Sequence, residues 1–195
     1  MSDSTEKRSF DKSPVSWYDA IKKSISHGEL EKADKEYLSL RSEHTNSSLI
    51  PTAMLALGFA HMDKGEYLLA DFYFEEYLKR GGPLREYASF MRLKASFLGI
   101  GDIDKDQKLI LKTLDMAKSF YSSHPSGRYA PLAKTIIVRL EMAQYLLNED
   151  IAELYERVDK PKAAKIYREK NSHLIYKKEQ IQKGSGSILS SINPF

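Results

Sequence analysis

The chain repeats part of its own sequence after an interval of 37 residues. Gly28-Glu29-Leu30-Glu31-Lys32-Ala33 returns as Gly65-Glu66-Tyr67-Leu68-Leu69-Ala70. The same interval pairs further apolar or small residues: Trp17 with Met54, Ile21 with Gly58, Ala33 with Ala70, Tyr37 with Phe74, and Leu40 with Tyr77. Self-similarity at such a period is typical of solenoids. Solenoids of helix pairs usually hold other chains on a surface and do not enclose a catalytic pocket.

Proline and glycine separate these units into pairs of helices. Pro14 and Pro51 each precede an apolar helical pattern, and proline is well tolerated at the first position of a helix. Gly28 and Gly65 lie where the first helix of each pair should end, because glycine adopts the left-handed conformation that closes a helix. Pro51 therefore predicts the start of the third helix.

The motif inside each pair fits the tetratricopeptide repeat, whose signature is W-x2-L-G-x2-Y followed by A-x3-F and P. Leu57-Gly58 and Ala70-x3-Phe74 supply it in the second unit, while Trp17 and Ala33-x3-Tyr37 supply it in the first. We therefore predict an all-α tetratricopeptide-repeat solenoid of about four helix pairs in a right-handed superhelix. The predicted domain covers residues 14–183, with units at about 14–46, 51–83, 86–125 and 129–183 and flexible tails at 1–13 and 184–195.

Composition and motifs argue against several function classes. A net charge of +3 is small for a nucleic-acid-binding protein, and no apolar run is long enough to span a membrane. Cysteine is absent, which removes disulfides and thiolate sites. The five histidines form no metal-binding motif, and Asp102, Asp104 and Asp106 lack the Gly and Glu of a calcium loop. We therefore predict no catalysis, no cofactor and no metal site, and a polar loop at 102–106 that caps the next helix.

The third and fourth units carry a more specific pattern. Asp104-Lys105-Asp106-Gln107, then His124-Pro125-Ser126-Gly127-Arg128-Tyr129-Ala130-Pro131-Leu132-Ala133, then a long helix into Tyr155-Glu156-Arg157, together resemble the BamD (ComL) family over roughly residues 14–175. Members are tetratricopeptide-repeat lipoproteins of the outer-membrane β-barrel assembly machine. The family typically has five repeats, one more than we predict here.

The resemblance implies a non-enzymatic scaffold at the periplasmic face of the outer membrane. Its N-terminal repeats would bind unfolded β-barrel substrates, and its C-terminal repeats would dock on the periplasmic domain of the barrel-forming assembly protein. It also implies an N-terminal lipid anchor, whose cysteine is absent here, as it would be if the sequence began just after it. The competing hypothesis is a cytoplasmic tetratricopeptide adaptor or co-chaperone that binds peptide segments of partner proteins.

The first helix of each pair builds the inner face of such a solenoid, which predicts a peptide-binding row. Aromatic and methionine side chains supply adaptable apolar contact area, and lysines could meet a terminal carboxylate. An aromatic stripe at this spacing also fits a packed core. The predicted peptide-binding residues are Tyr18, Lys22, Leu55, Phe59, Met62, Tyr87, Phe90, Lys94 and Phe97.

Basic residues of the last unit are the candidates for contact with the assembly partner. An arginine there could pair with a carboxylate of the partner. The predicted docking residues are Arg157, Lys165 and Arg168, and a solvated helical face is the alternative.

Overall fold

The computed structural model describes residues 12–102 and 105–174 of the chain. These residues form eight α-helices and no β-strand: α1 Pro14–Ser26, α2 Leu30–Glu43, α3 Leu49–Lys64, α4 Tyr67–Arg80, α5 Arg85–Leu98, α6 Gln107–Ser123, α7 Ala130–Arg157 and α8 Pro161–Asn171. The all-α helical-repeat prediction is confirmed. Within the described ranges, no helix combines the length and apolar character needed to cross a bilayer. Residues 1–11 of the predicted tail 1–13, and the whole predicted tail 184–195, lie outside the described residues.

The chain divides into two compact units, Met1–Ala88 and Ser89–Phe195, with the boundary inside α5. In unit 1, α1 packs on α2 and α3, while α3 packs on α2 and α4. In unit 2, α7 packs on both α6 and α8. Each unit has its own apolar core.

The repeat explains the core of unit 1. All ten residues matched at the 37-residue interval are buried. Trp17, only 5% exposed, also donates its indole Nε1–H to Glu43 Oε2 at 2.8 Å. The ladder of large and small side chains read from the sequence is therefore the packing pattern of the first two helix pairs.

Helix boundaries follow the glycines more closely than the prolines. Gly28 and Gly65 have φ of 74° and 76°, so both take the left-handed conformation expected at a helix end. The prediction that Pro51 opens its helix is wrong, because α3 starts at Leu49. Proline is accommodated at that third position because the first N–H groups of a helix have no intrahelical partner.

The acidic loop before α6 closes on itself. The Asp106 carboxylate accepts hydrogen bonds from the backbone N–H groups of Gly101 and Asp102, at 2.9 and 3.0 Å. Asp106, the residue before α6, makes no side-chain hydrogen bond to the first turn of that helix, so the predicted cap does not come from this residue. Asp104 lies outside the described residues.

Gly58 sets the spacing between α3 and α4. A Cβ atom at this position would lie 2.8 Å from Cε1 of the Phe74 ring, which is fully buried. Two helices can approach this closely only where one of them lacks a side chain.

Gly58→Ala should therefore lower the free energy of unfolding by about 1–3 kcal/mol, the usual cost of overpacking a core, despite the better helix propensity of alanine. Urea denaturation measures the change. Gly101→Ala is the matched control, because its Cβ would meet nothing closer than 3.7 Å. Equal stability of the two variants would show that the close approach at Gly58 is not required.

Candidate functional site

One face of α3 is apolar and only half buried. Leu55, Phe59 and Met62 lie at positions i, i+4 and i+7, so they share one side of the helix. The opposite side holds the fully buried Ala53 and Leu57. The helix thus has two apolar sides, of which one forms the core and the other remains open to solvent.

Aromatic rings extend this face within unit 1. The Phe59 ring lies 5.7 Å from the ring of Tyr87 and 5.3 Å from that of Phe74. Tyr18 of α1 and Leu55 both pack, half buried, against the core of unit 1. We name these five predicted residues, Tyr18, Leu55, Phe59, Met62 and Tyr87, the unit 1 wall.

Lys22 lies beside this wall. Its Nζ is 5.0 Å from the centroid of the Tyr18 ring and 2.8 Å from the Asp19 carboxylate. The hydrogen bond and charge of Asp19 raise the pKa of Lys22, so it is cationic at neutral pH. A guest carboxylate would therefore compete with Asp19 for this ammonium group.

The predicted residues of unit 2 lie in a different environment. Phe90 and Phe97 are each 3% exposed and belong to the core of this unit. Phe90 stacks on Tyr129 at 4.5 Å and lies 5.9 Å from Phe120. Their assignment as accessible groove residues is therefore corrected. The spacing along α5 could not distinguish a wall from a core, because the rings that cover Phe90 come from α6 and from Tyr129, the residue before α7. Lys94 is half buried.

The predicted docking residues differ in how strongly they already pair with other residues of the same chain. The Arg168 guanidinium forms a two-pronged ion pair with Glu156 and lies 3.5 Å from Glu149, so it holds α8 on α7. Lys165 lies 3.7 Å from Glu169 with a mostly exposed side chain. Arg157 is exposed in the last turn of α7.

A buried polar cluster in unit 1 was missed by the sequence analysis, which considered the histidines as possible metal ligands. His61 is 1% exposed, and its Nε2 lies 3.0 Å from Asp34 while its Nδ1 lies 2.5 Å from Glu66. Its ring stacks on Tyr73, whose hydroxyl donates to Asp34 at 2.6 Å. The signal available in the sequence was Glu66, five residues after a histidine on a tight turn.

The charges and hydrogen bonds within this cluster stabilise the ionisation state of each member. Burial lowers the pKa of His61, but the hydrogen bonds and charges of Asp34 and Glu66 outweigh burial and leave the pKa raised. Burial raises the pKa of Asp34, but hydrogen bonds from His61 and Tyr73 reverse the effect and leave it lowered. Burial, and then the bond to Asp34, raise the pKa of Tyr73, so its hydroxyl stays protonated. The cluster joins α2, α3 and α4.

Unit 1 should accordingly lose stability as the pH rises through the pKa of His61. A raised pKa contributes stability fully below the ordinary histidine value of about 6.5 and loses it above the raised value. The lowered pKa of Asp34 contributes stability above about 3.9 and loses it as the pH falls through the lowered value. The free energies of unfolding of wild type and His61→Gln, measured by urea denaturation, should therefore differ most between pH values of about 3.9 and about 6.5. They should converge at higher pH. A gap that widens with alkaline pH would contradict the charged state of His61.

Comparison with known proteins agrees with the resemblance seen in the sequence. A family described as YfiO, outer membrane lipoprotein, matches residues 10–183. The outer membrane protein assembly factor BamD of Helicobacter pylori (strain ATCC 700392 / 26695) is 39% identical over 167 residues, covering 85% of this chain and 76% of the relative.

These matches decide between the two hypotheses drawn from the sequence. A family of outer membrane lipoproteins confirms the expected location at the outer membrane and disfavours a cytoplasmic adaptor. A relative named as an assembly factor agrees with the expectation of a non-enzymatic protein. The family match spans most of the chain and includes the Arg128–Ala133 segment. The chain belongs to the YfiO family of outer membrane lipoproteins.

Proposed function

We propose that this chain is a non-enzymatic assembly factor for outer membrane proteins. Its unit 1 wall binds apolar segments of unfolded β-barrel substrates, and the α7–α8 end of unit 2 docks on the barrel-forming assembly protein. Family membership and the assembly-factor relative support the general role. The finer assignment of the two surfaces rests on the side chains described above.

The observation that carries the substrate site is the half-buried apolar face of α3. Leu55, Phe59 and Met62 are packed well enough to be held in place, yet each keeps area open to solvent. Covering such area is favourable by roughly 25 cal/mol per Å². Methionine and aromatic side chains adapt to guests of different shape. This suits a surface that must accept many sequences sharing only an apolar character.

Lys22 adds a direction to the bound segment. A substrate that ends in an aromatic residue carries its terminal carboxylate next to that ring. Tyr18 and Lys22 offer the complementary pair, a ring for the aromatic side chain and an ammonium for the carboxylate, 5.0 Å apart. The bond from Lys22 to Asp19 is exposed on both sides, so a guest carboxylate can replace it at little cost.

Phe59→Ser should weaken binding of a synthetic apolar peptide ending in phenylalanine by about tenfold, because it removes the aromatic centre of the wall. Isothermal titration calorimetry on the full chain measures the affinity, and a thermal melt checks the fold. Phe72→Ser is the control, since Phe72 is 45% exposed on α4 and lies outside the wall. Equal losses in both variants would indicate non-specific apolar binding.

For the partner surface, Arg157 is the docking candidate whose charge is most available. Its substitution should therefore act on binding alone, whereas Arg168→Ala should also loosen α8 from α7 by breaking its pairs with Glu156 and Glu149. The two effects separate docking from folding.

Arg157→Glu should reduce capture of the barrel-forming protein from solubilised outer membranes severalfold while leaving the melting temperature unchanged, since the guanidinium is exposed. Lys118→Glu is unsuitable as a control because Lys118 pairs with the buried Glu141. Lys134→Glu serves instead, because Lys134 is exposed and lies on α7, the helix that carries Arg157. Unchanged capture by Arg157→Glu would remove this residue from the docking surface.

A further inference from the structure

His61 bridges two carboxylates that belong to different parts of unit 1. Asp34 lies on α2 and meets Nε2, while Glu66 lies in the turn between α3 and α4 and meets Nδ1. A carboxylate only accepts hydrogen bonds, so each ring nitrogen must carry a proton to make its contact. The observed geometry is therefore that of a doubly protonated imidazolium.

Loss of one proton cannot leave both contacts intact. A neutral imidazole donates from one nitrogen and accepts at the other, so one carboxylate would face a lone pair at hydrogen-bond distance. Asp34 is held by a second donor, the Tyr73 hydroxyl at 2.6 Å. The Glu66 side chain is 48% exposed. The contact that breaks is therefore the one between His61 and Glu66.

The surroundings of Glu66 can receive its freed carboxylate. Glu66 lines a cleft of about 680 Å³ that is bordered by the first turn of α2 and by the α3–α4 turn. Three lysines, Lys32, Lys35 and Lys64, line the same cleft together with Glu29 and Glu31, and Glu29 pairs with Lys32 at 2.9 Å. Water and these ammonium groups are better partners for an ionised carboxylate than a neutral imidazole lone pair.

We propose that His61 is a proton-controlled clamp on the α3–α4 turn that regulates guest binding by the unit 1 wall. The clamp is closed when His61 is doubly protonated and opens when it loses a proton and releases Glu66. Met62 of the wall directly follows His61, and Phe59 lies two residues before it on α3. Opening the turn loosens the C-terminal half of the helix that carries the wall, and binding weakens.

The groups around the ring are consistent with a single proton acting as the switch. Asp34 faces it from α2, Glu66 from the turn and Tyr73 from α4, and Tyr73 stays protonated throughout. The buried residues of α1 are Trp17, Ile21 and Ser24, none of which titrates near neutral pH. Asp63 and Lys64, on the same helix as His61, are exposed.

The Glu66→Gln variant removes the negative charge at residue 66 but keeps a side chain that can bond to His61. An amide can accept from a protonated Nδ1 through its oxygen or donate to a neutral Nδ1 through its nitrogen. The variant should therefore keep the turn closed in both states of His61. His27→Gln is the matched control, because His27 is an exposed helix-end histidine of unit 1 outside the cluster.

The clamp is tested first without any guest. Amide hydrogen exchange of residues 65–69 in the full chain, corrected for its intrinsic pH dependence, should rise about fivefold between pH of about 6 and 8.5 in wild type and in His27→Gln. It should stay flat in Glu66→Gln. The NMR titration of His61 should show a raised pKa. Flat exchange in wild type, or the same rise in Glu66→Gln, would overturn the clamp.

Regulation of binding is tested second, and this step rests on the proposed function. Affinity for the phenylalanine-ending peptide should fall about fivefold over the same pH range in wild type and stay constant in Glu66→Gln. A clamp that opens without changing the affinity would overturn the regulatory role alone. A peptide that binds at no pH would refute the substrate site and the regulatory role, while the exchange result would still decide on the clamp.

Discussion

Close packing of a glycine against a phenylalanine fixes the second helix pair on which the candidate site is built. Without a side chain at Gly58, α3 approaches the Phe74 ring of α4. The same Phe74 ring lies 5.3 Å from the Phe59 ring, so α4 also covers one edge of the unit 1 wall, while Leu57 and Ala53 are fully buried on the opposite side of α3. The contact that holds the second helix pair together therefore also fixes the position of the Phe59 ring in the half-buried wall.

Much of this architecture could be predicted because the same packing position occurs in both copies of the repeat. The pairs at the 37-residue interval identified buried residues correctly, and Gly28 and Gly65 identified two helix ends. Prolines were less informative, since a first turn tolerates proline at more than one position, as Pro51 shows. The family was recognisable from three segments of the sequence, at residues 104–107, 124–133 and 155–157.

The site was less predictable because periodicity gives the side of a helix but not what covers it. Phe59 and Phe90 have the same chemistry, and helical spacing assigned both of them to the predicted peptide-binding row. Phe90 is covered by Tyr129 and Phe120, two rings that come from distant parts of the sequence. Arg168 was similarly assigned to a partner, while Glu149 and Glu156 of the preceding helix bind it. The His61 cluster could not be predicted because its residues lie on α2, α3, α4 and the α3–α4 turn, and only folding brings them together.

If the unit 1 wall receives an apolar guest segment, the core beneath it should stay closed. Methyl-labelled methionine offers the most direct measurement, because Met62 belongs to the wall and Met54, 1% exposed, belongs to the core of the same unit. On titration with an unfolded outer membrane protein, we expect a large shift of the Met62 methyl resonance and little change at Met54. Shifts confined to methionines of unit 2, or equal shifts at Met54 and Met62, would contradict it.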